Sequence, residues 1–380
     1  MKDIAYFDNA ATTFPKPPEV VGEVVRCMEE YCGNPGRGSH RMALKAAEKI
    51  YETRLLAAEM FSCPMPDGVV FTQNATYALN MAIMGLVKRE SHVLISDLEH
   101  NSVVRPLEHL RKNEGVTFSV FSTSGNVTEN IRRKLRGNTT AIICTHRSNI
   151  TNRSLPLERI GRLAGQRGIL FIVDGSQSAG TQRIDMDRCK ISALCVPGHK
   201  GLLAPQGVGM AVFSPDVLPS PFVFGGSGSL SREFDMPGVL PDRLEGGTLP
   251  TPAVAGLCEG MKYVLKRGMY DIYQRECEIM KKVKQYFAAK PEIVSYSEGE
   301  GAVWLFNVRG MSSQQLSRRL DEFGVCTRPG LHCAPLAHKT LGTPEDGAVR
   351  ASAGPLTTEK DADILICALE KVLKQSRYQN

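Results

Sequence analysis

The feature that most constrains this chain is an alternation of short apolar runs with longer segments of helical period between Val69 and Val212. Parallel strands joined by crossover helices produce this alternation. Several runs are apolar throughout, as strands covered on both faces must be. The region is therefore predicted to be α/β. The seven predicted strands are Val69–Thr72, His92–Ser96, Val116–Phe121, Ala141–Thr145, Ile169–Val173, Ala193–Val196 and Gly209–Phe213.

A stretch rich in glycine and proline from Pro219 to Pro252 ends the alternation and predicts a long functional loop. The remaining chain predicts a smaller α+β domain, because helical and strand patterns are mixed there. At 380 residues the chain exceeds the roughly 250–300 residues at which one core stops growing, so we expect two domains. The predicted elements are helices over 253–287, 312–323 and 358–373 and strands over 293–296 and 302–308.

Composition excludes several classes of protein. The charge balance of +6 is too small and scattered to indicate nucleic-acid binding. The N-terminus lacks the form of a secretory signal, and no apolar run approaches the ~20 residues that cross a bilayer. Eleven cysteines, an odd number without a CxxC pair, indicate neither a disulfide framework nor a zinc ribbon. We therefore expect a soluble cytoplasmic protein that binds no membrane and holds no metal.

Three local motifs carry chemistry, and each has an ordinary structural alternative. Lys200 sits in a glycine-bracketed turn after an apolar strand, where burial favours an amine that forms a Schiff base; such lysines are more often surface residues. Asp174 ends another strand, where an acid can hold a proton on a pyridine nitrogen or cap a helix. Thr76 lies where a strand passes into a helix, which suits a phosphate but is also how many unliganded helices begin.

Together, these three features are what a phosphopyridoxal cofactor requires, and the chain resembles the cysteine desulfurase family of the class V aminotransferase group. The likeness extends from Tyr6 to Leu373. It implies a fold-type I enzyme that depends on pyridoxal 5'-phosphate, with a mostly parallel seven-stranded sheet. The motifs are Tyr6–Thr13, Asn34–His40, Glu99–Asn101, Ser148–Asn149, Asp174–Gln177, Gly198–Lys200, Glu245–Thr248, Arg328–Ala334 and Val349–Ser352.

The resemblance also implies a domain division and a homodimer. Residues 14–255 form the large cofactor-binding domain. Residues 1–13 and 256–380 form the small α+β domain, which carries the Cys333 loop. Thr248 is implied to reach the cofactor phosphate of a second subunit.

Roles for the cofactor-site residues follow from the resemblance. Lys200 carries the cofactor as a Schiff base and later moves the α-proton. Asp174 pairs with the pyridinium nitrogen, Gln177 donates to the phenolic oxygen, and His100 stacks on the ring and assists proton transfer. The phosphate-binding residues are Thr76, His199 and the first-turn amides near Ala75.

For the substrate, the resemblance implies that Arg350 and Asn149 grip the carboxylate, a task that suits the planar fork of arginine. Cys333 is the implied nucleophile, which takes sulfur from cysteine as a persulfide and leaves alanine. Its loop contains two potential cations, Arg328 and His332, that favour a thiolate. The persulfide sulfur would pass to an iron–sulfur, thiolation or other acceptor protein.

Departures from the family pattern keep alternatives open. Asn152 and Arg153 stand where the family often has a glycine and a small residue, which predicts a bulkier or re-aimed loop. Pro197 replaces a phosphate-binding serine, and Ala75 replaces a common threonine. The alternatives are a selenocysteine lyase or another class V aminotransferase-type enzyme and, from a different class, a non-catalytic sulfur carrier or scaffold. The absence of a GxGxxG after a strand disfavours a nicotinamide-dependent dehydrogenase.

Overall fold

A computed structural model describes residues 4–36, 38–297 and 299–377. Arg37, within the Asn34–His40 motif, lies outside the described residues. The helices are α1 (Pro18–Glu30), α2 (Arg41–Met60), α3 (Ala75–Leu86), α4 (Asn101–Asn113), α5 (Val127–Lys134), α6 (Leu157–Gly165), α7 (Thr251–Arg267), α8 (Met269–Phe287), α9 (Ser313–Glu322), α10 (Pro335–Leu341) and α11 (Glu359–Arg377). The strands are β1 (Ala5–Tyr6), β2 (Val69–Thr72), β3 (His92–Ser96), β4 (Thr117–Phe121), β5 (Thr139–Thr145), β6 (Leu170–Asp174), β7 (Ala193–Pro197), β8 (Gly209–Phe213), β9 (Ile293–Ser295), β10 (Val303–Val308), β11 (Val325–Cys326) and β12 (Val349–Ser352).

All seven strands predicted between Val69 and Phe213 form one sheet, in the order β2-β8-β7-β6-β5-β3-β4. The strands from β7 to β4 run parallel, and β8 is antiparallel to both of its neighbours. The central strands are buried along their length, which is why they contain almost no charged residues. The predicted α/β fold with a mostly parallel seven-stranded sheet is confirmed.

The described chain divides into two compact units. The sheet unit comprises Lys16–His146 and Leu155–Arg267, and the second unit comprises the chain up to Pro15, Arg147–Ser154 and the chain from Gly268 onward. The predicted division into functional domains, 14–255 against 1–13 and 256–380, stays a prediction. Compactness assigns the short segment Arg147–Ser154, which contains Asn149, to the second unit.

The second unit has its own core around a three-stranded antiparallel sheet in the order β12-β10-β9. Trp304 stacks on Phe306 at 3.9 Å between ring centroids, and both side chains are buried. Helices α8, α9 and α11 supply most of the remaining apolar side chains. Helix α9 begins with a capping box formed by Ser312 and Gln315. The predicted smaller α+β region is present, with three short strands (β1, β11 and β12) that the sequence pattern did not reveal.

The predicted long loop is also present, because no helix or strand lies between Phe213 and Thr251. Helix α7 begins at Thr251, one residue inside the predicted loop. The loop is anchored by the carboxylate of Glu245. It accepts hydrogen bonds from Nη1 and Nη2 of Arg54, each at 3.0 Å, and from the backbone N–H of Phe71 at 2.7 Å. Among the described residues, no helix is both long enough and apolar enough to span a bilayer.

Candidate active site

The predicted site residues fall into two groups, one in each unit. In the sheet unit, Asp174 ends the central strand β6 and is 3% exposed. One of its carboxylate oxygens accepts the backbone N–H of Ser176 at 2.9 Å. The carboxylate therefore lies at the carboxyl edge of a parallel sheet, where α/β proteins bind ligands. Gln177 lies in the turn that follows.

The turn that carries Lys200 packs directly against the turn that follows Asp174. A Cβ added to Gly180 would lie 2.1 Å from the carbonyl oxygen of Gly201, and φ at Gly180 is +90°. A Cβ added to Gly201 would lie 2.2 Å from the carbonyl oxygen of Ala179. Only glycine fits both positions. The structure thus brings the Lys200 turn and the Asp174 turn together.

His100 and Thr76 are linked through Ser102. The Ser102 hydroxyl lies 2.8 Å from Oγ1 of Thr76 and 2.9 Å from Nδ1 of His100. His100 caps helix α4, and its Nδ1 accepts the Ser102 backbone N–H at 3.1 Å. Because Nδ1 accepts, the imidazole is neutral and carries its proton on Nε2. Ala75 is the first residue of helix α3, and the first amides of a helix have no partner within it.

Glu99 is a buried acid that the sequence analysis did not single out for a role. Its Oε1 accepts the Thr145 backbone N–H at 2.9 Å and the Ser96 hydroxyl, and its Oε2 is buried with no hydrogen-bond partner among the described residues. Burial, together with the nearby charge of Asp174, raises the pKa of Glu99 to about 8. At neutral pH the carboxyl is therefore mostly protonated, and Asp174 carries the negative charge at this edge.

Lys16 is a second cation beside the Lys200 turn, and the sequence analysis missed it. Its Nζ donates to the carbonyl oxygen of His199 at 2.8 Å, and burial lowers the pKa of Lys16 to about 8. The pKa of His199 is lowered to about 4, first by burial and then by the charges of Lys200 and Lys16. The only sequence feature that marks Lys16 is its position between two prolines, Pro15 and Pro17.

Thr248 lies in the long loop between β8 and α7. It is exposed, and its hydroxyl accepts the side-chain amide of Asn34 at 3.4 Å. Both residues line a cavity of about 470 Å³, together with Tyr51, Arg54 and Asp242. Lys200, Asp174 and Thr76 do not line this cavity.

In the second unit, Arg350 and Asn149 are in contact. Arg350 is 3% exposed; it donates to the carbonyl oxygen of Asn149 at 3.2 Å and to Asp8 at 3.3 Å. Its Nε is buried without a hydrogen-bond partner among the described residues. Burial lowers the pKa of Arg350 to about 10, so the guanidinium stays charged at neutral pH. The predicted substrate-gripping pair therefore presents a buried positive charge.

The loop Arg328–Ala334, called here the Cys333 loop, joins this cluster. The side-chain amide of Asn149 donates to the carbonyl oxygen of His332 at 3.0 Å. Arg328 donates to Asp8 at 2.7 Å and interacts electrostatically with Cys333, which is exposed. The prediction that His332 is a second cation is wrong: burial, with the charge of Arg350 second, lowers the pKa of His332 to about 3. The cation that interacts with the thiol is therefore Arg328.

The structure shows how asparagine is accommodated at position 152, where the family often has glycine. Its φ is +62°, in the left-handed region that favours glycine and that asparagine tolerates better than most residues. Its side chain donates to the carbonyl oxygen of Val303 at 2.7 Å and accepts the Val303 N–H at 2.8 Å. A Cβ added to Gly301 would lie 2.3 Å from Cγ of Asn152. Asparagine here keeps the glycine-like backbone and fastens the loop to β10.

A family model, curated relatives and solved structures each match nearly the whole length of this chain. A family model described as Aminotransferase class-V matches residues 5–365. A probable cysteine desulfurase of Methanothermobacter thermautotrophicus is 30% identical, with 98% of this chain and 95% of that protein covered. Another, of Pyrococcus abyssi, is 28% identical, with 99% and 96% covered. The solved apo structure of a cysteine desulfurase from Thermococcus onnurineus NA1 gives a TM-score of 0.89 at 26% identity, with 98% and 95% covered.

Proposed function

This chain belongs to the aminotransferase class-V family, among the cysteine desulfurases that it matches over nearly its whole length, and from that premise we propose that it converts L-cysteine to L-alanine and forms a persulfide on Cys333. The observation that carries the proposal is the Cys333 loop. It exposes a thiol beside Arg328, and Asn149 ties it to the buried cation Arg350. An ordinary core cysteine has none of these features.

The residues of the sheet unit fit pyridoxal 5'-phosphate. A pyridinium nitrogen needs one nearby anion, and Asp174 provides it while Glu99 stays protonated. A phosphate suits Thr76, the first amides of helix α3 near Ala75, His199 and the charge of Lys16. When bound, this cofactor supplies an electron sink that allows the Cα–H and Cβ–S bonds of an amino acid to break.

Lys200 would hold the cofactor through its amine and afterwards move the α-proton of the substrate. The glycines at 180 and 201 support this role, because they allow the Lys200 turn to pack against the Asp174 turn. Gln177 would donate to the phenolic oxygen. His100, neutral with its proton on Nε2, would stack on the cofactor ring and assist proton transfer.

Arg350 and Asn149 would bind the substrate carboxylate, and the buried charge of Arg350 supports this assignment. The Cys333 thiolate would attack the sulfur of the substrate. The Cβ–S bond then breaks, its electron pair stays on carbon, and a proton added to Cβ completes alanine. The new S–S bond leaves a persulfide on Cys333, which a sulfur-acceptor protein would consume.

We further propose that two copies of the chain form a homodimer in which Thr248 serves the cofactor phosphate of the other subunit. Thr248 lines a cavity that Lys200, Asp174 and Thr76 do not line, and this supports the idea. Apolar side chains left exposed on two helices and one loop support it as well, because large exposed apolar patches mark interfaces. They are Val21, Val25 and Met28 on α1, Met42, Leu44, Tyr51 and Leu55 on α2, and Phe224, Leu230, Phe234 and Val239 in the loop.

All eleven cysteines are unpaired, which supports a reducing cytoplasm as the location of the protein.

The test is product analysis with cysteine and with selenocysteine. We expect the wild-type protein to release alanine from cysteine and to carry a persulfide on Cys333. The variant Cys333→Ala loses both, whereas Cys367→Ala, which removes another exposed thiol, retains them. Wild-type desulfuration by Cys333→Ala would contradict the proposal. Selenium release that persists in Cys333→Ala, together with no desulfuration of cysteine by the wild-type protein, would favour a selenocysteine lyase. Lys200→Ala should lack the absorbance band of the bound cofactor.

A further inference from the structure

The Cys333 loop holds two consecutive non-glycine residues in left-handed backbone. The φ angle is 51° at His332 and 53° at Cys333. Such backbone persists only where surrounding contacts over-determine it, and outliers of this kind cluster at functional sites. The contacts that maintain this conformation therefore decide where the thiol of Cys333 points.

A chain of hydrogen bonds through His338 supplies much of this constraint. Nε2 of His332 lies 3.0 Å from the carbonyl oxygen of Arg328, and its Nδ1 lies 3.2 Å from Nε2 of His338. Nδ1 of His338 lies 2.8 Å from the hydroxyl of Thr343. A second contact holds the same segment, because the backbone N–H of His338 donates to the carbonyl oxygen of Ala334 at 3.1 Å.

With both rings neutral, the chain has one consistent assignment of protons. A carbonyl oxygen can only accept, so His332 carries its proton on Nε2 and donates it to Arg328. Its Nδ1 must then accept, so His338 donates from Nε2 and accepts at Nδ1 from the Thr343 hydroxyl. Both tautomers are fixed by their neighbours.

Both rings are uncharged at neutral pH. Burial and then the charge of Arg350 lower the pKa of His338 to about 4, and the pKa of His332 is about 3 for the same reasons. The charged groups facing the pair, Arg350 and Arg328, are both positive. A proton added at Nδ1 of His332 would face the Nε2–H of His338, so it would change the tautomer of His338 or break that contact.

We propose that His338 is a positioning residue for Cys333: through Nε2 it fixes the tautomer of His332 and so holds the strained backbone that presents the sulfur-accepting thiol. This inference deepens the proposed function and rests on it. His338 itself is 2% exposed and acts through His332, so it is not proposed to touch the substrate.

Three variants test the proposal. His338→Phe keeps a ring of similar shape but has no nitrogen. His338→Gln keeps an amide donor near the position of Nε2. Thr343→Val is nearly isosteric and removes only the hydroxyl that fixes the tautomer of His338, so it serves if His338→Phe fails to fold.

The first measurement is alkylation with iodoacetamide, read by peptide mass spectrometry. Cys32 and Cys367, which are exposed elsewhere, serve as internal controls. We expect His338→Phe to change the rate at Cys333 relative to Cys367 by about threefold or more, and Thr343→Val to change it in the same direction, because each breaks a buried hydrogen bond. His338→Gln should stay within about twofold of wild type. An unchanged ratio in both His338→Phe and Thr343→Val would overturn the inference.

The second measurement is a single turnover of the cofactor-loaded protein with cysteine. In His338→Phe, persulfide formation should slow by about tenfold, while the absorbance change on substrate binding keeps its wild-type rate. A merely structural defect would slow both steps equally, and that result would also count against positioning. If wild-type protein forms no persulfide from cysteine, the proposed function fails, and the alkylation ratio still decides the role of His338.

Discussion

Replacing Asn152 by alanine is expected to destabilise the second unit more than replacing it by glycine. The Asn152 side chain makes two hydrogen bonds with the backbone of Val303 and is 8% exposed. Its backbone has a φ of +62°, where a residue with a Cβ is strained. Alanine would lose the hydrogen bonds and keep the strain, whereas glycine would lose the hydrogen bonds and remove it.

The size of the two effects follows from these contacts. Leaving the N–H and C=O of Val303 without their partner costs about 1–3 kcal/mol for a buried polar group. Left-handed backbone costs a residue with a Cβ roughly 1–2 kcal/mol, and alanine lacks the side-chain contacts that offset this. Asparagine and alanine both bear the strain, so we expect Asn152→Ala to lower the free energy of unfolding by the loss of hydrogen bonds, about 1–3 kcal/mol for each of the two Val303 groups, and Asn152→Gly by about 1–2 kcal/mol less than that.

The assay is urea unfolding followed by tryptophan fluorescence. Trp304 is the one tryptophan in the sequence, and it lies next to Val303 in β10 of the second unit. Its Nε1 donates to Ser295 at 3.1 Å on the neighbouring strand β9, so its emission reports on this sheet. Equal losses in Asn152→Ala and Asn152→Gly would refute the argument from backbone strain.

A double-mutant cycle tests the side-chain packing independently. In the wild-type background, Gly301→Ala would place a Cβ 2.3 Å from Cγ of Asn152 and should be strongly destabilising. In the Asn152→Gly background the same change should cost at least about 1 kcal/mol less, because neighbouring sites couple by such amounts. Additive effects would show that Asn152 is not what requires glycine at position 301.

Four further predictions concern the site residues and the ion pair that anchors the long loop. Glu99 should make the free energy of unfolding of the wild-type protein fall as pH rises from about 4.5 to about 8, because the folded chain keeps a proton there that the unfolded chain loses. Glu99→Gln should abolish this fall. Urea midpoints of both proteins at pH 5 and pH 8 measure it. Lys16→Gln should weaken pyridoxal phosphate binding about three- to tenfold by removing a cation, measured by spectroscopic titration, while Lys16→Arg binds nearly normally. Arg54→Met should cost about 3–5 kcal/mol by stranding buried Glu245, and the pair Arg54→Met with Glu245→Gln should cost less in the same unfolding assay. Asp8→Asn should raise the KM for cysteine about tenfold with a smaller change in kcat, because Arg328 and Arg350 lose their shared carboxylate; an unchanged KM would contradict a role of Asp8 in orienting the two arginines.

Much of the sheet unit could be predicted from the sequence because its signals are local. A strand covered on both faces must be apolar along its length, so the seven runs between Val69 and Phe213 were identified to within about two residues. The same runs carry no information about direction, which is why the antiparallel course of β8 was not predicted. Asp174 and the Lys200 turn were found because each follows directly from an apolar strand.

The second unit was less predictable because its short strands depend on distant partners. Strand β1 has two residues and pairs only with β11, more than 300 positions later. Strand β12 pairs with β10, and its Arg350 contacts Asp8 and Asn149 from two other parts of the chain. No window of sequence contains these neighbours.

The sequence by itself determined the sheet, the family motifs and the residue types at the site, including Lys200 and Cys333. Only the tertiary structure decided the charge states of the site residues and which other residues lie next to them. It made His332 neutral rather than cationic, protonated Glu99 beside Asp174, and set Lys16 against the Lys200 turn. The physical reason is that a side chain's pKa depends on burial and on charges that folding brings near it, and these are properties of position in space rather than of residue type.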